Sequence, residues 1–171
     1  MSGYRCATCG EHHDGPTLAF GLGAPDLYDQ IPENERPTRA ELTSDACVID
    51  GEHCFVLGNI ELPISGTDEK FVWSVWVSLS QLNFARATLL WEQPGRESES
   101  PYFGWLSSSI PTYPSTINLK THVHTRPVGV RPLVELEPTD HPLAREQRDG
   151  ITWERVHQIT AAIEHDTPRA G

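Results

Sequence analysis

The sequence predicts an α+β fold: an antiparallel sheet with two or three helices packed on it and an N-terminal cysteine-knuckle segment. Three observations lead there. Over Lys70–Leu79, Phe71, Trp73, Val75, Val77 and Leu79 alternate with Val72, Ser74, Trp76 and Ser78. Phe55–Ile64 likewise places Val56, Ile60, Leu62 and Ile64 on one side. Period two in β-branched and aromatic residues marks half-buried strands, and the polar turn Ser65-Gly66-Thr67-Asp68-Glu69 joins them as a hairpin. Finally, Trp153, Val156, Ile159 and Ile163 recur at helical spacing, an apolar stripe able to lie on a sheet.

The remaining elements follow in chain order. Residues 1–50 read as an extended, knuckle-like segment wrapping a body at 51–166, with 167–171 as a frayed tail; the whole is one domain. Pro25, Pro32 and Pro37 interrupt the stretch from Ala19 to Asp45, where only Thr38–Leu42 suggests a helical turn and Leu22, Tyr28 and Ile31 would be anchors. Cys47–Val56 reads as two short strands around Asp50-Gly51, a favoured hairpin turn. Ser78-Leu79-Ser80-Gln81 offers a capping box for a helix over about 81–91, with Leu82, Ala85 and Leu89 at helical spacing. Strands follow near 101–106, 116–126 and 130–137. Asp140 is a candidate N-cap for a short helix, and Thr152 caps the longer one to about His165.

Composition narrows the function. Hydrophobic residues are 37% and charged residues 22%, yet five Trp, five Phe and four Tyr supply bulk for a core. The net charge of −11 disfavours nucleic acid or an anionic membrane as partner, since both repel an anion, and suits a basic protein. No run of 18 apolar residues occurs, and Met1-Ser2-Gly3-Tyr4-Arg5-Cys6 has no apolar signal core, so a cytoplasmic location is expected.

Cys6-Ala7-Thr8-Cys9-Gly10 is the most specific motif. Such a turn points two thiolates the same way, and the glycine permits a positive φ directly after them, as in one half of a tetrahedral zinc site. A redox pair is the rival, but it should follow a strand and open a helix, whereas His12-His13-Asp14-Gly15-Pro16 reads as loop. If Asp50-Gly51 is the whole hairpin loop, Cys47 faces Cys54, and Cys6, Cys9, Cys47 and Cys54 could together hold structural zinc. His13 is the substitute fourth ligand. The bland alternative makes Cys47 and Cys54 small buried hydrophobes.

A second constellation lies on one strand. Ile117, Leu119, Thr121 and Val123 alternate with Asn118, Lys120, His122, His124 and Arg126, so one side is core and the other a polar, basic row. His122 and His124, at i and i+2, can approach one metal ion together. Lys120, His122, His124 and Arg126, with His141 after the next strand, could instead hold a small anionic ligand once histidine is charged. An ordinary solvated sheet face is the third reading.

The joined motifs resemble a known family. They are Tyr4-Arg5-Cys6-Ala7-Thr8-Cys9-Gly10, Asp45-Ala46-Cys47-Val48-Ile49-Asp50, Phe71–Ser80, Phe103-Gly104-Trp105-Leu106, Leu119–Arg126 and Glu135–Gln147. Together they are similar to the bacterial family named domain of unknown function 2199. The resemblance implies a compact bacterial domain of unassigned activity and transfers no catalytic residue. Cys54 stands where that family commonly has an aromatic, which strengthens His13 as fourth ligand. The function expected is a zinc-stabilised, non-catalytic binding or regulatory module. The alternative is a metal-dependent hydrolase using His122, His124 and His141, with Glu135, Glu137 or Asp140 as base; no Gly-x-Ser-x-Gly, His-Glu-x-x-His or phosphate loop accompanies them.

Overall fold

The computed structural model describes residues 18–166 and the backbone of two short paired strands, β1 (Tyr4–Arg5) and β2 (His12–His13). At its centre is a closed five-stranded β-barrel with extra strands. This corrects the expected antiparallel sheet with helices packed on it.

The expected hairpin is the start of the barrel. Strands β6 (His53–Pro63) and β7 (Lys70–Leu79) pair from Cys54↔Leu79 to Pro63↔Lys70. The chain then meanders through β8 (Tyr102–Leu106), β9 (Lys120–His124) and β10 (Leu133–Leu136), each antiparallel to the one before. Closure comes from β10 returning parallel to β6, at Leu133↔Asn59. The Asn59 N–H donates to the Pro132 carbonyl at 2.9 Å.

Two glycines permit so tight a curve. A Cβ on Gly58 would lie 2.6 Å from Val134 Cγ2, and one on Gly104 would lie 2.3 Å from Val77 Cγ1 and 2.8 Å from the Ser78 carbonyl oxygen. Strands approach there closer than any side chain allows, as glycine kinks do at barrel corners. Both faces of the hairpin are then buried. Phe71, Trp73, Val75, Val77 and Leu79 join Val56, Ile60, Leu62, Val123, Val134 and Leu136 in the main core.

The opposite face has its own small core of Ile31, Cys47, Ile49, Phe55, Leu57 and Trp76. The extended segment covers it. It contains β3 (Ala19–Gly21), α1 (Asp26–Asp29), α2 (Arg36–Arg39) and β4 (Ala40–Leu42). Leu22, Leu27 and Tyr28 pack on this cluster, and Trp76 Nε1 donates to the Leu22 carbonyl at 2.8 Å. Strand β3 adds to the β7 side, while β5 (Ala46–Ile49) and β4 add to the β6 side.

The helices also depart from expectation. The cap of α3 (Gln81–Leu89) is Ser80 rather than Ser78 of the expected capping box, its Oγ accepting from the Asn83 N–H at 3.1 Å. Yet Leu82 and Leu89 are 81% and 71% exposed, so the predicted stripe faces solvent while Phe84 and Ala87 touch the core. Helices α4 (Pro142–Asp149) and α5 (Trp153–Asp166) supply Leu143, Ala144, Val156 and Ile159 to the main core. Thr152 caps α5 through the Arg155 N–H at 3.1 Å. Among the described residues, no helix is long and apolar enough to cross a membrane.

Candidate functional site

The predicted residues separate into three places. Cys6 and Cys9 lie outside the described residues, and of His13 only the backbone is described. Cys47 and Cys54 do not face each other. Asp50 and Gly51 form the turn with φ of 55° and 64°, and the Glu52 N–H donates to the Ile49 carbonyl at 3.0 Å. But Ile49 pairs with His53, leaving Glu52 as an extra residue, so Cys47 meets Phe55 and Val48 meets Cys54. A shift of one residue moves a side chain to the other face. The hydrophobic pattern decides this register, because it puts Cys47 and Ile49 beside Phe55 and Leu57 in the small core. Cys54 points the other way, on the Val56 and Leu79 side. Both cysteines are free thiols, and burial pushes the Cys47 thiol up to about 11. The expected facing of Cys47 and Cys54 across the turn is therefore corrected.

Lys120, His122 and His124 do share the outer face of β9, as alternation requires, with Thr121 and Val123 buried between them. Two of the three carboxylates named as candidate bases, Glu135 and Glu137, are their neighbours. His122 Nε2 lies 3.1 Å from Glu137 Oε1, and His124 Nε2 lies 3.3 Å from Glu135 Oε1. Each histidine thus stands against a carboxylate on β10 or just beyond it. On the other side, β8 opposes Phe103 to His122 and Trp105 to Lys120. Phe103 and Trp105 are 38% and 42% exposed and meet edge-on at 5.1 Å, with the His122 ring 6.1 Å from Phe103.

Arg126 leaves this row. The strand has ended at His124, and the Arg126 guanidinium donates to Glu61 Oε1 at 3.0 Å and to the Arg131 carbonyl at 2.7 Å. His141 is also committed elsewhere, as the N-cap of α4 in place of the expected Asp140. Its Nδ1 accepts from the Leu143 N–H at 3.1 Å, so the ring proton belongs on Nε2, which faces the Pro114 and Ser115 carbonyls at 3.2 and 3.0 Å. Neither ring nitrogen is left to bind a metal. The trio His122, His124 and His141 is not assembled, and no group of three candidate metal ligands occurs among the described residues.

The same geometry changes the electrostatics expected of the row. Glu135 and Glu137 face the two histidines, so protonating the rings makes ion pairs rather than a cationic patch. An anion meets two carboxylates there. The exposed aromatic pair was legible in principle. Along β8, Tyr102, Gly104 and Leu106 alternate with Phe103 and Trp105, which puts the latter two on the face opposite buried Tyr102 and Leu106.

Fold and face together define a small closed β-barrel domain with an aromatic and acidic strip on its outer wall. The chain belongs to the family described as Uncharacterized protein conserved in bacteria (DUF2199), which it matches over residues 5–151. No curated protein and no solved structure matches it.

Proposed function

We propose that this domain is a non-catalytic binding module whose outer β8–β9–β10 wall receives a basic segment of a partner protein. The observation that carries the reading is the exposed Phe103–Trp105 pair beside the carboxylates of Glu135 and Glu137. Aromatic faces attract guanidinium and ammonium groups, and nearby carboxylates complete their hydrogen bonds. The net charge of −11 steers a basic partner toward the domain. Lys120, opposite Trp105, adds one positive charge at the end of the strip and favours a partner with an acidic residue at that point.

A structural zinc ion at Cys6 and Cys9 belongs to the same proposal. It is supported by the pairing of Tyr4 with His13 and Arg5 with His12, which brackets the Cys-x-x-Cys-Gly sequence between two strands. His13 remains the further ligand named by the sequence.

The binding reading is tested by amide NMR titration of the full chain with an arginine- and glycine-containing peptide, beside an aspartate- and glycine-containing control. Expected are shifts confined to β8, β9 and β10 with the basic peptide, lost in Trp105→Ala and reduced in Glu135→Gln/Glu137→Gln. Shifts elsewhere, or equal shifts with the acidic peptide, refute it.

A further inference from the structure

Arg96 is the one strongly buried basic residue among the described residues, at 7% exposure. It sits in a short 3₁₀ turn, Arg96–Ser98, after α3. Its guanidinium donates only to backbone carbonyls: Nε to Arg126 at 2.8 Å, one terminal nitrogen to Trp91 at 2.9 Å, and the other to Pro127 and Val130, each at 3.1 Å. The guanidinium also lies 5.2 Å from the Trp91 ring centroid. A guanidinium carries five N–H groups, so four are spent and one remains. No carboxylate pairs with Arg96 among the described residues. A buried charge ordinarily has a counter-charge. Here carbonyl dipoles solvate the cation without neutralising it.

Arg96 lines an open cleft of about 670 Å³ between the end of α3 and the 128–131 turn. Two other donors with spare capacity line the same cleft. Asn59 accepts from the Ser74 hydroxyl through its carbonyl oxygen at 2.8 Å, and its amide NH₂ has no acceptor among the described residues. Arg131 meets Asp45 only at 3.7 Å, too long for a hydrogen bond, so its N–H groups are also available. The remaining walls are apolar: Trp91, Val128 and Val130 are 41%, 46% and 45% exposed. Glu92 and Asp45 stand at the same cleft and balance the charges of Arg96 and Arg131, so a multiply charged anion is disfavoured there.

From this we infer that the cleft is a binding site for a small monocarboxylate with an apolar body. The carboxylate takes the unspent donors of Arg96, Asn59 and Arg131, and the body lies on Trp91, Val128 and Val130. The site is separate from the β8–β9–β10 wall and does not depend on it. A single carboxylate group is therefore held by the directed N–H donors rather than by surplus charge; a phosphate brings more charge than the cleft neutralises beside Asp45 and Glu92.

The test is isothermal titration of the full chain near neutral pH with 3-phenylpropionate and with its neutral counterpart 3-phenylpropan-1-ol. Expected is saturable one-to-one binding of the acid and at least tenfold weaker binding of the alcohol. Arg131→Gln and Val130→Asp are exposed changes that leave Arg96 and its carbonyls in place, and each should weaken the acid at least fivefold in a protein whose circular dichroism is unchanged. Equal binding of acid and alcohol, no binding of the acid, or acid binding unaltered in both variants overturns the inference.

Discussion

Replacing Gly104 by Ala tests whether the barrel is as tightly closed as the backbone indicates. The added methyl would stand 2.3 Å from Val77 Cγ1, 2.8 Å from the Ser78 carbonyl oxygen and 3.1 Å from Leu79 Cδ2. Carbon atoms in contact prefer about 3.5–4.0 Å, so a neighbour must retreat by more than about 1 Å. The Val77 side chain is fully buried and the Ser78 oxygen is backbone of β7, so neither retreats freely. Overpacking of this kind costs about 1–3 kcal/mol, and the backbone contact puts Gly104 at about 3 kcal/mol. At about 2–4 °C per kcal/mol for a chain of this size, Tm falls by about 6–12 °C. Gly23→Ala is the control: a Cβ there meets nothing within 4 Å, so stability should change by no more than about 1 kcal/mol, in the stabilising direction. Urea denaturation followed by tryptophan fluorescence, with thermal melts by circular dichroism, measures both. In an open sheet, Ala at a strand position would be tolerated better than Gly. A Gly104→Ala variant as stable as the parent therefore refutes the close approach of β8 to β7.

Two further outcomes follow from the site geometry. His141→Ala removes the cap on the Leu143 N–H and the contacts to the Pro114 and Ser115 carbonyls; thermal melts should show a loss of about 1–2 kcal/mol, whereas His124→Ala, at a half-exposed ion pair, should change stability by less than about 1 kcal/mol. Metal analysis of the purified full chain should find zinc that disappears in Cys6→Ser/Cys9→Ser and persists in Cys54→Ala, because Cys54 points away from Cys47; zinc lost from Cys54→Ala alone, or retained in the double variant, defeats that assignment.

The contrast between His122 and His141 shows how the face acquires its character. His122 stands at the middle of β9, whereas His141 stands at the start of α4. His122 keeps a half-exposed ring beside Glu137 and Phe103. His141 spends its ring on a helix end and on a loop more than twenty residues upstream. The character of the outer wall therefore rests on neighbours contributed by β8 and β10, which no inspection of β9 alone reveals.

Local pattern was sufficient wherever a property depends on neighbours a few residues away. Alternation marked the strands near 55–64 and 70–79 and aromatic residues the one near 101–106, the 78–81 segment and Thr152 announced their helices, and Leu22, Tyr28 and Ile31 were legible as anchors. It also placed Lys120, His122 and His124 on one face of a strand, although that strand is shorter than the 116–126 read from the sequence. Asn118, at φ 65°, turns the chain just before it begins. What only the tertiary structure decided depends on segments far apart in the chain. The alternation of a barrel stave is the same as that of an open sheet, so closure hinges on the parallel meeting of Leu133 with Asn59 and on the two glycines that let the strands bend. The one-residue shift that separates Cys47 from Cys54 was set by Trp76 and Phe55, whose core rewards one register and not the other. Likewise Glu135 and Glu137 reach the histidines only because β10 lies beside β9, and Arg96, an unremarked residue in a polar loop, became a buried cation because the 126–130 carbonyls fold around it. Period and propensity are short-range quantities, whereas register, closure and charge pairing are set by which distant strands can bury the same apolar surface together.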